Sequence, residues 1–244
     1  MLIIIDPGHG GRDPGATGFG LKEKDLTLKI AKLLINKLNA YEVEVLSTRD
    51  EDRAVSLRDR ARIANDRKAD FFCSLHINAG GGTGFESYVH VAAPEKTEAL
   101  RSFIHAEVAR YYLDAGFPDR GKKRANFAVL RETVMPAVLL ENLFIDHPRD
   151  AASLADPAFL EGLAAVLTAA LVKVFDLQPR WDPAGEIARL KERGLLVGDP
   201  DPGAPVAWGE FAAVMNRLLD RMEAGKASKS SKSGKFGKSI KSNK

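Results

Sequence analysis

Leu2-Ile3-Ile4-Ile5-Asp6-Pro7-Gly8-His9-Gly10-Gly11 opens the chain with four consecutive apolar residues, three of them β-branched, running straight into an Asp-Pro-Gly break. A short apolar run bounded by turn residues reads as a strand buried on both faces, here feeding a glycine-rich loop, residues 8–20. Strands of that kind belong to sheets covered by helices on both sides.

The rest of the first 177 residues supplies those helices and further strands. Leu26, Ile30, Leu33, Leu34 and Leu38 recur at helical spacing over 25–38, and 57–64 and 97–113 also read as helices. Val43 and Val45 alternate as a strand, and 71–75, 87–91, 127–130 and 137–140 read as further strands. Asp156-Pro157 is an N-cap followed by proline at the first helical position, opening a long helix to about Phe175. The alternation predicts an α/β domain: a mixed, largely parallel central sheet with helices on both faces, and a small helical C-terminal module.

Sheets of this class place ligands beyond the carboxyl ends of their strands, and His9, His76 and Glu141 all fall at or just past an expected strand end. With Glu23, which opens the first helix, they comprise two imidazoles and two carboxylates. Two imidazoles and one carboxylate are a set of protein ligands that leaves a hydrolytic zinc an open position, and a further carboxylate outside the first shell can move protons. Taken singly, each has a plainer reading: a histidine after a strand as a loop residue, Glu23 as a first-turn acid favoured by the helix dipole. Glu141 resists one, because a carboxylate directly after Val138-Leu139-Leu140 is costly to bury without a partner.

The flanking residues carry a specific resemblance. Asp6-Pro7-Gly8-His9-Gly10-Gly11 with Asp13, Gly15 and Ala16; Glu23-Lys24-Asp25; Ser74-Leu75-His76-Ile77-Asn78-Ala79; Gly84-Phe85-Glu86-Ser87-Tyr88; and residues 136–145 around Glu141 resemble, in order, the motifs of the zinc-dependent N-acetylmuramoyl-L-alanine amidases, the amidase-3 family. The resemblance implies one zinc held by His9, Glu23 and His76, with Glu141 as catalytic acid/base. It also implies peptidoglycan as substrate, cut between the muramic acid lactyl group and L-alanine. Asn78, Glu86 and Arg131, with Arg49, are the candidates for gripping substrate or orienting ligands; ordinary surface pairing is the plainer alternative. His90, His105 and His147 read as structural or surface residues, and Cys73 as a core hydrophobe. Asn142-Leu143-Phe144 departs from the family, where a glycine often precedes the Phe. Two rivals are a non-catalytic wall-binding protein with a structural zinc, and a zinc carboxypeptidase or amidohydrolase acting on small acyl-amino acids.

Beyond residue 177 the composition changes. Residues 178–183 form a proline-containing linker, and 178–224 read as an accessory helix-loop-helix module for wall binding or dimerisation, distantly similar to S-layer-homology units. Trp181 and Trp208 are either stacking surfaces or core of that module. The net charge of +3 is uneven: seven lysines and no acid in the last twenty residues leave −4 on the first 224. That Lys/Ser/Gly tail, 225–244, is expected to be disordered and to attract anionic wall polymers rather than a specific nucleic acid, or to be a solvated extension. One cysteine excludes an intramolecular disulfide. With no recognisable secretory signal and no uninterrupted apolar run of about 20 residues, the expectation is cytoplasmic synthesis and release through a holin-like pore, as for a phage endolysin. A bacterial autolysin or mother-cell-lysis amidase is the alternative.

Overall fold

The structure, a computed structural model, describes residues 1–233. The chain divides into two units, Met1–Arg180 and Trp181–Lys244. In the first, the elements run β1 (Leu2–Pro7), the two-residue strands β2 (Thr17–Gly18) and β3 (Leu21–Lys22), α1 (Glu23–Leu38), β4 (Glu44–Ser47), α2 (Leu57–Asp66), β5 (Phe71–Asn78), β6 (Phe85–His90), α3 (Glu95–Asp114), β7 (Asp119–Ala125), α4 (Ala128–Arg131), β8 (Ala137–Phe144), α5 (Pro148–Ala155) and α6 (Pro157–Phe175). Six strands form one sheet in the order β4-β1-β5-β8-β6-β7. β4, β1, β5 and β8 are mutually parallel, β6 is antiparallel to β8, and β7 pairs parallel with β6.

Alternation along the strands sorts side chains onto two faces. Ile3, Ile5, Phe71, Cys73, Leu75, Val138 and Leu140 join the larger core with Leu26, Ile30 and Leu34 of α1, Ile104 and Val108 of α3, and Leu160, Leu163 and Leu167 of α6. Leu2, Ile4, Phe72 and Leu139 point the other way, against Ala64 of α2 and Val129 and Leu130 of α4. That second cover is small, and further along the same strands the residues of this face turn polar, Asp6, Ser74, His76, Asn78 and Glu141, joined by Glu86 of β6 opposite Glu141. The helices are capped as their sequences dictate: Asp156 Oδ1 accepts from the Ala158 amide, with Pro157 at the first helical position of α6. α6 is long and apolar enough, by length and composition alone, to cross a membrane. Its residues Leu160, Leu163, Ala164, Leu167, Ala170 and Leu171 are nevertheless wholly buried against the rest of the domain.

Three expectations are corrected. Residues 127–130 are not a strand: 128–131 form the single turn α4, too short for a helical period to show in sequence. β5 and β8 continue past Leu75 and Leu140, so His76 and Glu141 lie inside strands. The apolar run stops there because one face changes from core to site, not because the strand ends. β7 and α5 have no counterpart in the sequence reading.

In the second unit α7 (Pro183–Glu192) is capped by Asp182, which accepts from the Gly185 amide, and α8 spans Trp208–Ser233. Leu195 is buried, while Trp181 is 71% exposed. α8 takes in residues 225–233, which composition assigns to a disordered tail; the remainder of that tail, 234–244, lies outside the described residues.

Candidate active site

The loop after β1 is fixed by two buried arginines. Arg49 donates to the carbonyls of Pro7 (3.0 Å) and Gly8 (2.9 Å), and Arg60 to those of Pro7 (2.6 Å) and His9 (2.6 Å). Arg60 also pairs with Asp6 at 2.8 Å, and Asp6 accepts from Thr48 (2.6 Å) and Ser74 (2.7 Å). Asp6 and both guanidinium groups are buried yet fully engaged, which is what makes such burial affordable. Arg49 therefore shapes the backbone that carries His9 and does not touch a ligand. Held this way, His9 adopts φ 61°, a left-handed conformation that costs a non-glycine residue of the order of 1 kcal/mol or more.

His9, Glu23 and His76 converge until one nitrogen or oxygen from each lies within 4.8 Å of the others. His9 Nε2 is 3.1 Å from Glu23 Oε2, His76 Nδ1 is 2.9 Å from Glu23 Oε1, and the imidazoles stand edge-to-face with centroids 5.1 Å apart. Glu23 is the first residue of α1, and its carboxylate accepts from the Ala16 amide (2.8 Å) and the Ile77 amide (3.0 Å). It is thus both a first-turn acid and a member of the cluster. His9 Nδ1 is 2.8 Å from Asp13 Oδ2, which orients the ring and turns Nε2 inward. Gly8 and Gly15 leave room for the rings. A Cβ on Gly8 would lie 2.4 Å from His76 Cε1, and one on Gly15 2.6 Å from Glu23 Oε2 and 2.7 Å from His9 Cδ2.

Glu141 stands beside this cluster, His76 being its register partner on β5 and Glu86 its partner on β6. Its Oε2 is buried without a hydrogen-bond partner among the described residues. Burial, with the charges of Glu23 and Glu86 adding to it against the pull of His76, pushes its carboxyl up to about 7. The hydrogen bond to Glu23 raises His9 to about 9 against the cost of its burial. Burial of Glu23 favours its neutral form, but hydrogen bonds from His76 and His9 outweigh it and hold the carboxyl far below the usual range. β8 bulges just after Glu141, where Asn78 pairs with Phe144 and Leu143 takes φ 66°. Asn142, wholly buried, clamps the bulge by donating to the His76 carbonyl (3.0 Å) and accepting from Tyr112 (3.0 Å). The glycine that the resemblance sets before the Phe would fall at this left-handed position, occupied here by Leu143.

Of the candidates for substrate contact, Asn78 and Glu86 border Glu141 and bond to each other at 2.8 Å, while Arg131 does not join them. Arg131 ends α4, bonds to Asn126 at 2.9 Å, and lines a cavity of about 350 Å³ with His90, Pro136 and Ala137 at the amino end of β8. The misread strand accounts for its misplacement. His105 is buried, 2.7 Å from Ser87 Oγ and 3.0 Å from Asp119; His147 caps α5; and His90 bonds to Asn126. Cys73 is buried, and that burial pushes its thiol up to about 12. Sequence reasoning missed Asp6, Arg60 and the orienting part of Asp13. Asp6 had a signal, a charged residue inside a buried strand, which demands partners.

The sequence and fold have relatives. Residues 3–173 match the family described as N-acetylmuramoyl-L-alanine amidase. A sporulation-specific N-acetylmuramoyl-L-alanine amidase of Bacillus subtilis is 52% identical over 180 residues, 73% of this chain and 69% of that protein. An endolysin of Bacillus phage SPP1 is 44% identical over 183 residues, 73% of this chain and 68% of that protein. The catalytic domain of CwlV, an amidase from Bacillus (Paenibacillus) polymyxa var. colistinus, superposes with TM-score 0.67 at 32% identity, covering 72% of this chain and 98% of that one. An amidase from Clostridium difficile 630 gives 0.68 at 35%, covering 72% and 96%. With a family match spanning the whole sheet and its site, this chain belongs to the N-acetylmuramoyl-L-alanine amidases.

Proposed function

We propose that the chain is a zinc-dependent amidase in which His9, Glu23 and His76 hold the metal and Glu141 moves the protons. The observation that carries this reading is the convergence of three ligand-type atoms within 4.8 Å beside a buried carboxyl oxygen that lacks a partner among the described residues. The donor set fits zinc: imidazole nitrogens and a carboxylate oxygen, the first ring oriented by Asp13 and the carboxylate by two backbone amides. Zinc bound there would supply Lewis-acid polarisation of the scissile carbonyl and lower the pKa of water.

The chain's own part follows from Glu141. A carboxyl near 7 both accepts and releases a proton at neutral pH. Water adds to the lactyl carbonyl carbon as Glu141 Oε2 takes its proton. The carbon–nitrogen bond then breaks as Oε2 returns that proton to the departing nitrogen of L-alanine, leaving a lactyl carboxylic acid and an amine, which at neutral pH become carboxylate and ammonium by transfer of the acid's proton. Mass spectrometry of peptidoglycan digests tests this. Stem peptides with free N-terminal alanine, lost on chelation and restored by zinc, are expected; cuts elsewhere, or cleavage indifferent to chelation, would overturn it.

The reaction has two biological settings. Host lysis as an endolysin, with release through a holin-like pore, draws support from the phage relative; a sporulation amidase draws it from the relative at 52% identity. Expression with late phage genes or during sporulation separates them. For the second unit we assign attachment to the wall, with the lysine-rich tail drawn to anionic polymer and pairing of two copies as the alternative; pelleting with walls that carry or lack teichoic acid tests it.

A further inference from the structure

β6 and β7 carry a charge imbalance beside Glu141 that the hydrolysis does not use. Glu86 faces Glu141 across the antiparallel β6–β8 pair, and its side chain is 3% exposed. Its Oε1 accepts from Asn78 Nδ2 (2.8 Å) and Tyr88 Oη (2.7 Å), its Oε2 from Arg120 Nε (2.8 Å) and Lys123 Nζ. With four donors on two oxygens and almost no exposure, Glu86 has nothing left to offer a substrate, contrary to its reading as a substrate contact. Two cations on one carboxylate give Glu86 and its partners a net charge of +1, offset only while the facing Glu141 is ionised, although one cation suffices to pair a buried carboxylate.

Both cations remain about one-third exposed, Arg120 at 35% and Lys123 at 37%. Arg120 meets Glu86 through Nε only, and its guanidinium carbon sits 4.7 Å over the ring of Phe144, the last residue of β8, which steadies it next to the bulge. Its Nη1 reaches the Thr83 carbonyl only at 3.5 Å. A guanidinium presents five N–H donors and an ammonium three, so each cation keeps protons for a second anion.

We infer that Arg120 and Lys123, held by Glu86 as a positioning residue, form a subsite for a free carboxylate on the stem-peptide residue that follows L-alanine. The inference deepens the amidase reading and rests on it. Neighbouring strands lie about 4.8 Å apart, so side chains of β7 leaning over β6 come within roughly 5–10 Å of Glu141. A residue spans at most about 3.6 Å, which sets the L-alanine against Glu141 and the next residue's carboxylate over the two cations. A carboxamide there would satisfy hydrogen bonds but leave the extra charge unneutralised.

The test compares kcat/KM of the full chain on two soluble muramoyl peptides that differ only in a carboxylate or carboxamide on the second residue. The acidic peptide is expected to be preferred about tenfold or more. Lys123→Gln brings the ratio to within about threefold of one, mainly through KM, and Lys123→Arg keeps the preference. The ratio is taken within each variant, so a partly unfolded preparation does not distort it. Equal rates in the wild type, or a preference surviving in Lys123→Gln or in Arg120→Gln, would overturn the two-cation subsite while leaving the amidase reading intact. Cleavage of neither peptide would overturn both.

Discussion

Two histidine–carboxylate networks occupy opposite faces of one sheet. On the core face, His105 of α3 joins Ser87 of β6 to Asp119 of β7 at 2.7 and 3.0 Å. On the other, His9, Glu23 and His76 meet at similar distances beside Glu141. The residue types resemble each other, and a serine–histidine–aspartate set would by composition alone invite a catalytic reading. Ser87 is wholly buried, however, and both ring nitrogens of His105 are matched, with a phenylalanine ring stacked 5.1 Å away. The site face differs in two respects: a buried carboxyl oxygen without a partner, and left-handed backbone at His9 and Leu143. An unpartnered polar atom alone does not make the difference, since Arg101 Nε beside Ser87 is buried without a partner among the described residues as well. An unpartnered acid next to left-handed backbone and two imidazoles, not residue type, separates the site from the structural pin.

The largest contrast is expected from removing one carboxylate on each side. Glu23→Ala should abolish zinc stoichiometry by atomic absorption and lower wall hydrolysis at least a thousandfold. Asp119→Ala should leave zinc content unchanged and rates within a few-fold, while costing about 1–2 kcal/mol in denaturant melts. Retained zinc in the first variant would break the comparison. Next, Gly15→Ala sets a methyl against both Glu23 and His9, so zinc affinity should fall about 10–100-fold, by chelator competition.

The networks also respond oppositely to pH. His9, raised to about 9, adds stability to chelator-treated protein that is full below its unfolded value near 6.5 and lost as pH rises through about 9. His105 is lowered, burial being the main cause, so its contribution is present above 6.5 and lost on acidification. His9→Gln should flatten the alkaline limb of a pH–stability profile and His105→Gln the acid limb; the reverse assignment would contradict this account. Glu141, raised to about 7, gives stability present below about 4.5 and lost as pH rises through 7. Glu141→Gln should therefore match wild type near pH 4 and exceed it at pH 8 by up to about 3 kcal/mol. The bulge affects stability alone: Leu143→Gly relieves the left-handed strain but empties a buried site, for a net loss of about 1–3 kcal/mol in melts with zinc content and rate unchanged.

Much of this was legible in the sequence because the strands that build the site are buried on both faces. Ile3–Ile5 and Phe71–Leu75 announce themselves as apolar runs, and Asp156-Pro157 marks the start of α6. The motifs around His9, His76 and Glu141 were legible for the same reason, each following such a run. β7 was not: Asp119–Ala125 is an edge strand whose residues are exposed or half-buried, so Asp-Arg-Gly-Lys-Lys-Arg shows no hydrophobic period. α4 failed in the other direction, since Val129 and Leu130 are buried within a single turn and look like strand. The pairing of Arg49 and Arg60 with the carbonyls beneath His9 is a long-range contact that no local pattern encodes.

The most direct test of the central claim is Glu141→Gln, a near-isosteric change that removes the proton carrier and leaves the three ligands in place. Zinc stoichiometry and wall hydrolysis, measured on the same preparation with stem-peptide release followed by mass spectrometry, are the two readouts. The account predicts one zinc per chain, as in the wild type, and a rate lower by at least about a hundredfold. Wild-type hydrolysis with zinc bound would contradict it.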